Sequence, residues 1–128
     1  MGIIDYYNLQ EVFVVLKQGV YKGIKYQISF NWNYPCACIE INKRYRDFDP
    51  IVHGGKTFEG TAEKRSCDDF LELNKYYIGW DYGNDFDFVT NILCPTIGKK
   101  WSLEEIENDC FDCIDQYLNY VESKNKNA

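Results

Sequence analysis

The chain contains 128 residues, of which 45% are hydrophobic and 17% are aromatic. This composition predicts one globular domain, because a disordered chain has few aromatic residues and little apolar surface to bury. Fourteen basic and 20 acidic residues give a formal net charge of −6, which disfavours direct binding to nucleic acid. The best apolar run, Val12 to Leu16, is far shorter than a membrane-spanning helix, so no membrane partner is expected.

Strand patterns occupy the first two-thirds of the chain. An apolar run covers 11–17 and is followed by Gly19, which predicts a turn. Residues 24–30 and 36–42 alternate between apolar and polar side chains, and the loop between them predicts a hairpin. Residues 51–58 predict a strand, a tight glycine turn and a second strand. The most aromatic strand is predicted over 76–80.

A long helix is the clearest feature of the C-terminal part. Ser102 and Glu105 have the spacing of a capping box, and apolar residues then recur at helical spacing. We expect an amphipathic helix of about five turns, with a frayed tail at about 122–128. The predicted fold class is therefore α+β, an antiparallel β-sheet packed by one long C-terminal amphipathic helix, in a single domain over 1–128.

The start of the chain predicts the compartment, and the compartment predicts the state of the six cysteines, which would suggest three disulfides in a secreted protein. Met1 to Tyr6 lack the basic and apolar segments of a signal peptide, and Tyr6 stands where a myristoylation motif needs Ser or Thr. We therefore expect a cytoplasmic protein of the host cell, in which thiols stay reduced. The two close cysteine pairs have poor zinc-knuckle spacing, and we interpret them as buried thiols, with zinc binding left open: Cys36 with Cys38, and Cys110 with Cys113.

Acidic residues are concentrated in the second half of the chain. Residues 1–66 hold 9 basic and 7 acidic residues, whereas residues 67–128 hold 5 and 13. This asymmetry indicates either a solvated helix face or an electronegative stripe presented to a basic surface of a partner protein. The candidate partner-binding residues are Asp85, Asp87, Glu104, Glu107, Asp109, Asp112 and Asp115.

Motifs for catalysis are missing from the sequence. Any nucleophilic triad needs His53, the only histidine, and no G-x-S-x-G elbow supplies a serine. Walker A and dinucleotide-binding motifs are absent, and the acidic turn at 81–87 lacks EF-hand spacing. We therefore expect no enzyme, no catalytic residue, no cofactor and no metal. A hydrolase that uses His53 with Asp81 is a weaker alternative, and a hydrogen-bonded structural role for the same pair is another.

A glycine turn beside an aromatic strand predicts a candidate ligand site. Gly54 and Gly55 leave backbone N–H groups open to close approach, and Trp80 lies on an aromatic strand face. Such a face can stack a base while the amides hold a phosphate, although aromatic strands also form cores. The candidate ligand-binding residues are His53, Gly54, Gly55, Thr57, Trp80, Asp81 and Asp87.

Two segments resemble motifs of a family of small phage and prophage proteins. Residues 52–60 read VHGGKTFEG and resemble V-H-G-G-x-T-Y-x-G, and residues 76–81 read YYIGWD and resemble W-W-x-G-F-D. Asn84 and Phe86 depart from the His and Gly of the family. The matched positions are His53, Gly54, Gly55, Thr57, Gly60, Gly79, Trp80, Asp81 and Asp87. The resemblance implies a mobile genetic element, where small acidic proteins often block host immunity.

Two functional hypotheses follow. The first is a phage-derived inhibitor of bacterial immunity, of the anti-CRISPR type, that binds a host defence effector by acidic mimicry of nucleic acid. The alternative is a nucleotide-binding module that sequesters a signalling nucleotide of a defence pathway. In the first hypothesis the partner is a nuclease or effector complex, and the acidic helix and the acidic loop at 81–87 carry the contact.

Overall fold

The computed structural model describes residues 14–30, 34–61, 70–83 and 99–126. Within these residues, five strands form one antiparallel sheet in the order β1-β2-β3-β5-β4. The strands are β1 (Val14–Tyr21), β2 (Ile24–Phe30), β3 (Pro35–Ile41), β4 (Phe58–Thr61) and β5 (Tyr76–Asp81). A short 3-10 helix (Lys43–Tyr45) follows β3, and the helix α1 (Leu103–Lys126) ends the described chain. The predicted α+β fold class is confirmed.

The period of two in β2 and β3 places apolar side chains on one face, as predicted. Tyr26 and Ile28 of β2 pack in the core beneath α1, with Ala37, Ile39 and Ile41 of β3 beside them. From the helix, the side chains of Ile106, Cys110, Cys113, Ile114 and Tyr117 complete this core. Burial of each large apolar side chain contributes about 1.5–3 kcal/mol, so this layer supplies most of the stability.

The opposite face of the sheet is covered by the segment before β5. Leu71 is buried against Cys38 and Tyr77, and the rings of Phe58 and Phe70 pack around them. The Tyr77 hydroxyl accepts a hydrogen bond from the Glu72 backbone N–H over 2.8 Å, which ties this segment to β5. The sheet is therefore covered on both faces where β3 and β5 pair.

The first turn and the segment before β4 differ from the sequence prediction. Gly19 lies within β1, opposite Tyr26, and the turn comes at Lys22 and Gly23, both with positive φ. Gly19 is required there because a Cβ would overlap the Tyr26 ring. The strand predicted at 51–52 is wrong, since the Ile51 backbone bonds to the Gln116 side chain in α1 instead of to a strand.

The helix begins with the predicted capping box. The Glu105 N–H donates to Ser102 Oγ over 3.1 Å, and the Ser102 N–H donates to Glu105 Oε1 over 3.0 Å. The helix continues to Lys126, about one turn past the predicted start of fraying. Among the described residues, no helix combines the length and apolar character that crossing a bilayer requires.

The sheet separates the two close cysteine pairs. Cys36 and Cys38 alternate with the core residue Ala37, so they lie on the face away from α1, whereas Cys110 and Cys113 lie in the core beneath it. All four are buried free thiols, and burial raises the pKa of the Cys36 thiol to about 12. The described part of the chain contains no cluster of residues suited to a metal ion.

We predict that Gly79→Ala lowers the free energy of unfolding by about 1–3 kcal/mol, because overpacking a fitted core forces shifts. An added Cβ would overlap the Phe58 ring and lie 2.6 Å from the backbone oxygen of Ala37. Urea unfolding of the variant measures the effect. The combined variant with Phe58→Ala should not recover stability, because the clash with the Ala37 backbone remains; full recovery would show that only the ring matters.

Candidate functional site

The segments 52–60 and 76–81 meet at the end of β5. The Gly55 N–H donates to the Val52 oxygen over 2.9 Å and closes a β-turn. Gly54 occupies the third position of this turn with a φ of 71°, which favours glycine. Two residues later, the Thr57 N–H donates to the Gly79 oxygen over 2.9 Å. The glycine turn is therefore fixed beside the end of β5.

The turn places His53 in a cluster of three rings, which we call the aromatic cluster: His53, Tyr82 and Trp101. The His53 ring stacks on Tyr82 with centroids 5.0 Å apart and contacts Trp101 at 4.6 Å, and the Tyr82 and Trp101 centroids are 5.2 Å apart. Tyr82 is fully buried, whereas His53 and Trp101 are half-buried. The cluster therefore presents two partly exposed rings that pack on the fully buried ring of Tyr82.

Beneath the aromatic cluster, a hydrogen-bonded chain connects the sheet to α1. The Trp80 indole Nε1 donates to the Tyr82 hydroxyl over 2.9 Å, and Tyr82 donates to Asp109 Oδ2 over 2.7 Å. Burial and the Asp109 carboxylate both raise the pKa of Tyr82, so its hydroxyl keeps its proton. Asp109, proposed from the sequence as a partner contact, thus holds the helix to the sheet.

Trp80 does not form the exposed stacking platform that the sequence suggested. Its side chain is 0% exposed, because its strand face is the one that α1 covers. Trp101, just before α1, is a partly exposed tryptophan next to the glycine turn, and it was not among the residues predicted from the sequence. The lysine two residues before it was also missed: Lys99 Nζ lies 3.9 Å from the centroid of the Trp101 ring. The sequence signal for this position is that Trp101 directly precedes Ser102, the first residue of the capping box.

The other residues of the predicted ligand site differ from one another in their contacts and their exposure. Asp81 Oδ1 accepts a hydrogen bond from the Gly83 N–H over 3.0 Å, which caps the turn after β5. The Thr57 hydroxyl is buried without a hydrogen-bond partner in the described part of the chain. Gly54 is exposed and Gly55 half-buried. Asp85 and Asp87 lie outside the described residues.

Two acids on one flank of α1 bind the β1–β2 hairpin. Glu107 Oε2 pairs with Lys17 over 2.6 Å and accepts from the Tyr26 hydroxyl over 2.6 Å. The bond from Lys17 is the main reason that the pKa of Glu107 is lowered. About two helical turns further along α1, Asp115 pairs with Lys22 over 2.8 Å and accepts a hydrogen bond from the Tyr21 hydroxyl at 3.3 Å. These carboxylates hold the helix on the sheet.

The remaining predicted helix acids point away from the sheet. Glu104 and Asp112 are exposed, as are Asn108 and Asn119. We call these four residues the outer face of α1. Asp112 accepts a hydrogen bond from Gln116 over 2.9 Å, whose carboxamide also binds Ile51. Because the sequence from Leu103 to Glu122 contains no basic residue, the outer face presents carboxylates without an adjacent base from the helix.

We predict that Tyr82→Phe lowers the free energy of unfolding by about 1–3 kcal/mol, because it leaves the Trp80 N–H and the Asp109 carboxylate without their shared partner. Chemical denaturation measures the loss. The control is Tyr45→Phe, which removes an exposed hydroxyl bonded to Asn125 over 3.2 Å and should change stability little. Equal losses of stability in both variants would contradict a stabilising role for the hydrogen bonds from Trp80 to Tyr82 and from Tyr82 to Asp109.

Comparison of the sequence and fold with protein-family models, curated proteins and solved structures finds no match. The functional proposal therefore rests on the geometry of the described residues.

Proposed function

We propose that the chain is a non-catalytic binding protein, a phage-derived inhibitor of bacterial immunity of the anti-CRISPR type. In this proposal it binds a host defence effector through the outer face of α1. The observation that carries the proposal is the exposed pair Glu104 and Asp112 on a helix that has no base between Leu103 and Glu122. The net charge of −6 favours association with a basic surface on a partner.

The contacts of the helix restrict which acids can serve such a partner. Glu107, Asp109 and Asp115 already bind lysine or tyrosine side chains of the sheet, so reversing them would also disturb the fold. Glu104 and Asp112 are eight positions apart, which is about 12 Å along a helix. A basic channel that normally holds a nucleic-acid backbone is a surface that such a row of carboxylates complements.

Among the residues that the structure describes, neither the thiols nor His53 favour catalysis. The described thiols are buried, and burial raises the pKa of the Cys110 and Cys113 thiols, which opposes formation of a thiolate nucleophile. His53 stacks on Tyr82, which places its ring in an aromatic contact. A binding role is therefore the better supported proposal.

We predict that the double reversal Glu104→Lys/Asp112→Lys weakens binding to a purified RNA-guided nuclease by at least about tenfold, because it puts cations against the basic channel. The matched control is Asp47→Lys/Asp49→Lys, which changes the net charge equally at two exposed acids outside the outer face. The measurement is calorimetric affinity, together with inhibition of phage interference in cells that carry the nuclease.

The two reversals separate the possible results. Loss in the first variant alone supports a contact through the outer face. Equal loss in both would reduce the effect to overall charge, and unchanged binding in the first would remove the outer face from the interface. If the native chain inhibits no member of a nuclease panel, the inhibitor proposal fails.

A second candidate function, sequestration of a defence signalling nucleotide, is favoured by the aromatic cluster. His53 and Trp101 present partly exposed rings next to the exposed Gly54. Base stacking on an aromatic side chain contributes about 1–3 kcal/mol. The Gly54 N–H can approach a phosphate, whereas the Gly55 N–H is bonded to the Val52 oxygen within the turn. In this proposal Trp101 takes the stacking role that the sequence analysis gave to Trp80.

We predict for this candidate that cyclic or ADP-ribose-type nucleotides raise the melting temperature of the chain and quench its tryptophan fluorescence. His53→Ala should weaken binding about tenfold or more through lost stacking, whereas Trp101→Phe, which keeps an aromatic ring, should weaken it less. Absence of a thermal shift across the nucleotide panel would rule this candidate out and leave the inhibitor proposal untouched.

A further inference from the structure

A cavity of about 410 Å³ lies at the end of the sheet remote from the aromatic cluster. It opens where β3 ends and β5 begins, whereas the aromatic cluster lies beyond the end of β5. Tyr76 forms part of its wall, and the polar residues that line it are Glu40, Asn42, Lys43, Asn74, Lys75 and Tyr117. Pockets for small molecules span about 300–1,000 Å³, so this volume suits a compact ligand.

The two lysines of the cavity are available for an anion. Lys43 and Lys75 are exposed, and neither ammonium group has an ion-pair partner among residues 14–30, 34–61, 70–83 and 99–126. By contrast, Lys17, Lys22 and Lys99 are each paired with a helix carboxylate. The cavity therefore collects two cations whose charge the described protein does not neutralise.

Tyr117 contributes a buried donor to the same cavity. The residue is only 4% exposed, and its hydroxyl accepts a hydrogen bond from the Asn42 backbone N–H over 2.9 Å. Its own proton has no acceptor among the described residues. Burial raises the pKa of Tyr117, so the hydroxyl remains protonated and able to donate. Because Tyr117 lines the cavity, its hydroxyl can donate to an oxygen of a ligand bound there.

The cavity also has an acceptor for hydroxyl groups. One oxygen of Glu40 accepts from the Tyr77 hydroxyl at 3.2 Å, and the carboxylate has further lone pairs for other donors. A carboxylate repels a bare anion but accepts hydrogen bonds from a sugar diol. Two ammonium groups, a phenol donor and one carboxylate therefore match a ligand with a phosphate at one end and hydroxyls at the other.

We propose that this cavity binds a sugar phosphate, with Lys43 and Lys75 on the phosphate, and Glu40 on the sugar hydroxyls. The Tyr117 hydroxyl, which also lines the cavity, donates to a ligand oxygen. The same chemistry is present in a free sugar phosphate and in a nucleoside monophosphate, and the cavity is separate from both surfaces of the proposed function. Its occupancy can therefore be tested independently of any effector.

The test titrates the full chain with ribose 5-phosphate, adenosine 5′-monophosphate and inorganic phosphate by calorimetry, up to about 5 mM. We expect a Kd below about 1 mM for at least one sugar phosphate and weaker binding of inorganic phosphate. Lys43→Ala and Lys75→Ala should each weaken binding about tenfold, since each removes a charge-assisted contact. Tyr117→Phe should weaken it about threefold or more through the lost hydroxyl.

The control is Lys124→Ala, which removes an exposed helix lysine that lies over the Tyr120 ring and outside the cavity. Unchanged affinity in this variant, with losses in the cavity variants, supports the site. Binding of the free sugar phosphate alone, or of the nucleotide alone, supports it and identifies the source of the ligand. No binding of either sugar phosphate, binding of inorganic phosphate with equal affinity, or equal loss in Lys124→Ala would overturn the proposal.

Discussion

The fold depends on donors from the sheet that satisfy the carboxylates along the flanks of α1. The helix covers one face of the sheet with apolar residues, and its acidic flanks lie at the border of that buried layer. A carboxylate in such a position destabilises the fold unless it is paired or hydrogen-bonded. Lys17 and Tyr26 serve Glu107 on one flank, and Tyr82 serves Asp109 on the other. These contacts act together with the packing of the apolar layer to hold the helix on the sheet.

Because carboxylates at the border of the core must be paired or hydrogen-bonded, the acidic residues of α1 do not all have the same role. A sequence with many carboxylates and no base suggests a single electronegative stripe, yet the tertiary structure divides the carboxylates into two groups. Those on the flanks are neutralised or hydrogen-bonded by strand residues, and they contribute to stability. Those on the outer face, represented by Glu104 and Asp112, keep their charge toward solvent. The number of helix carboxylates that are accessible to a basic surface is therefore smaller than the composition indicates.

The residues of the resembling motifs also divide between structure and surface. Gly79 permits the Phe58 ring to cross β5, and Trp80 is buried and hydrogen-bonded to Tyr82. These positions maintain the sheet and its contact with α1. His53 and Gly54 remain partly or fully exposed at the surface. The remote cavity, with its two lysines, is a further surface that the motifs do not touch.

Local sequence determined most of the helices and strands that the structure describes. The alternation in β2 and β3, and the Ser102–Glu105 capping box, act over a few residues, so pattern and spacing were sufficient to predict an antiparallel sheet and a long helix. Only the tertiary structure decided which face of β5 is covered, and hence that Trp80 is buried while Trp101 is partly exposed. The same holds for the bond between Tyr26 and Glu107, which are 81 positions apart. Burial and pairing of this kind depend on where distant segments meet, and a periodic pattern contains no information about that meeting.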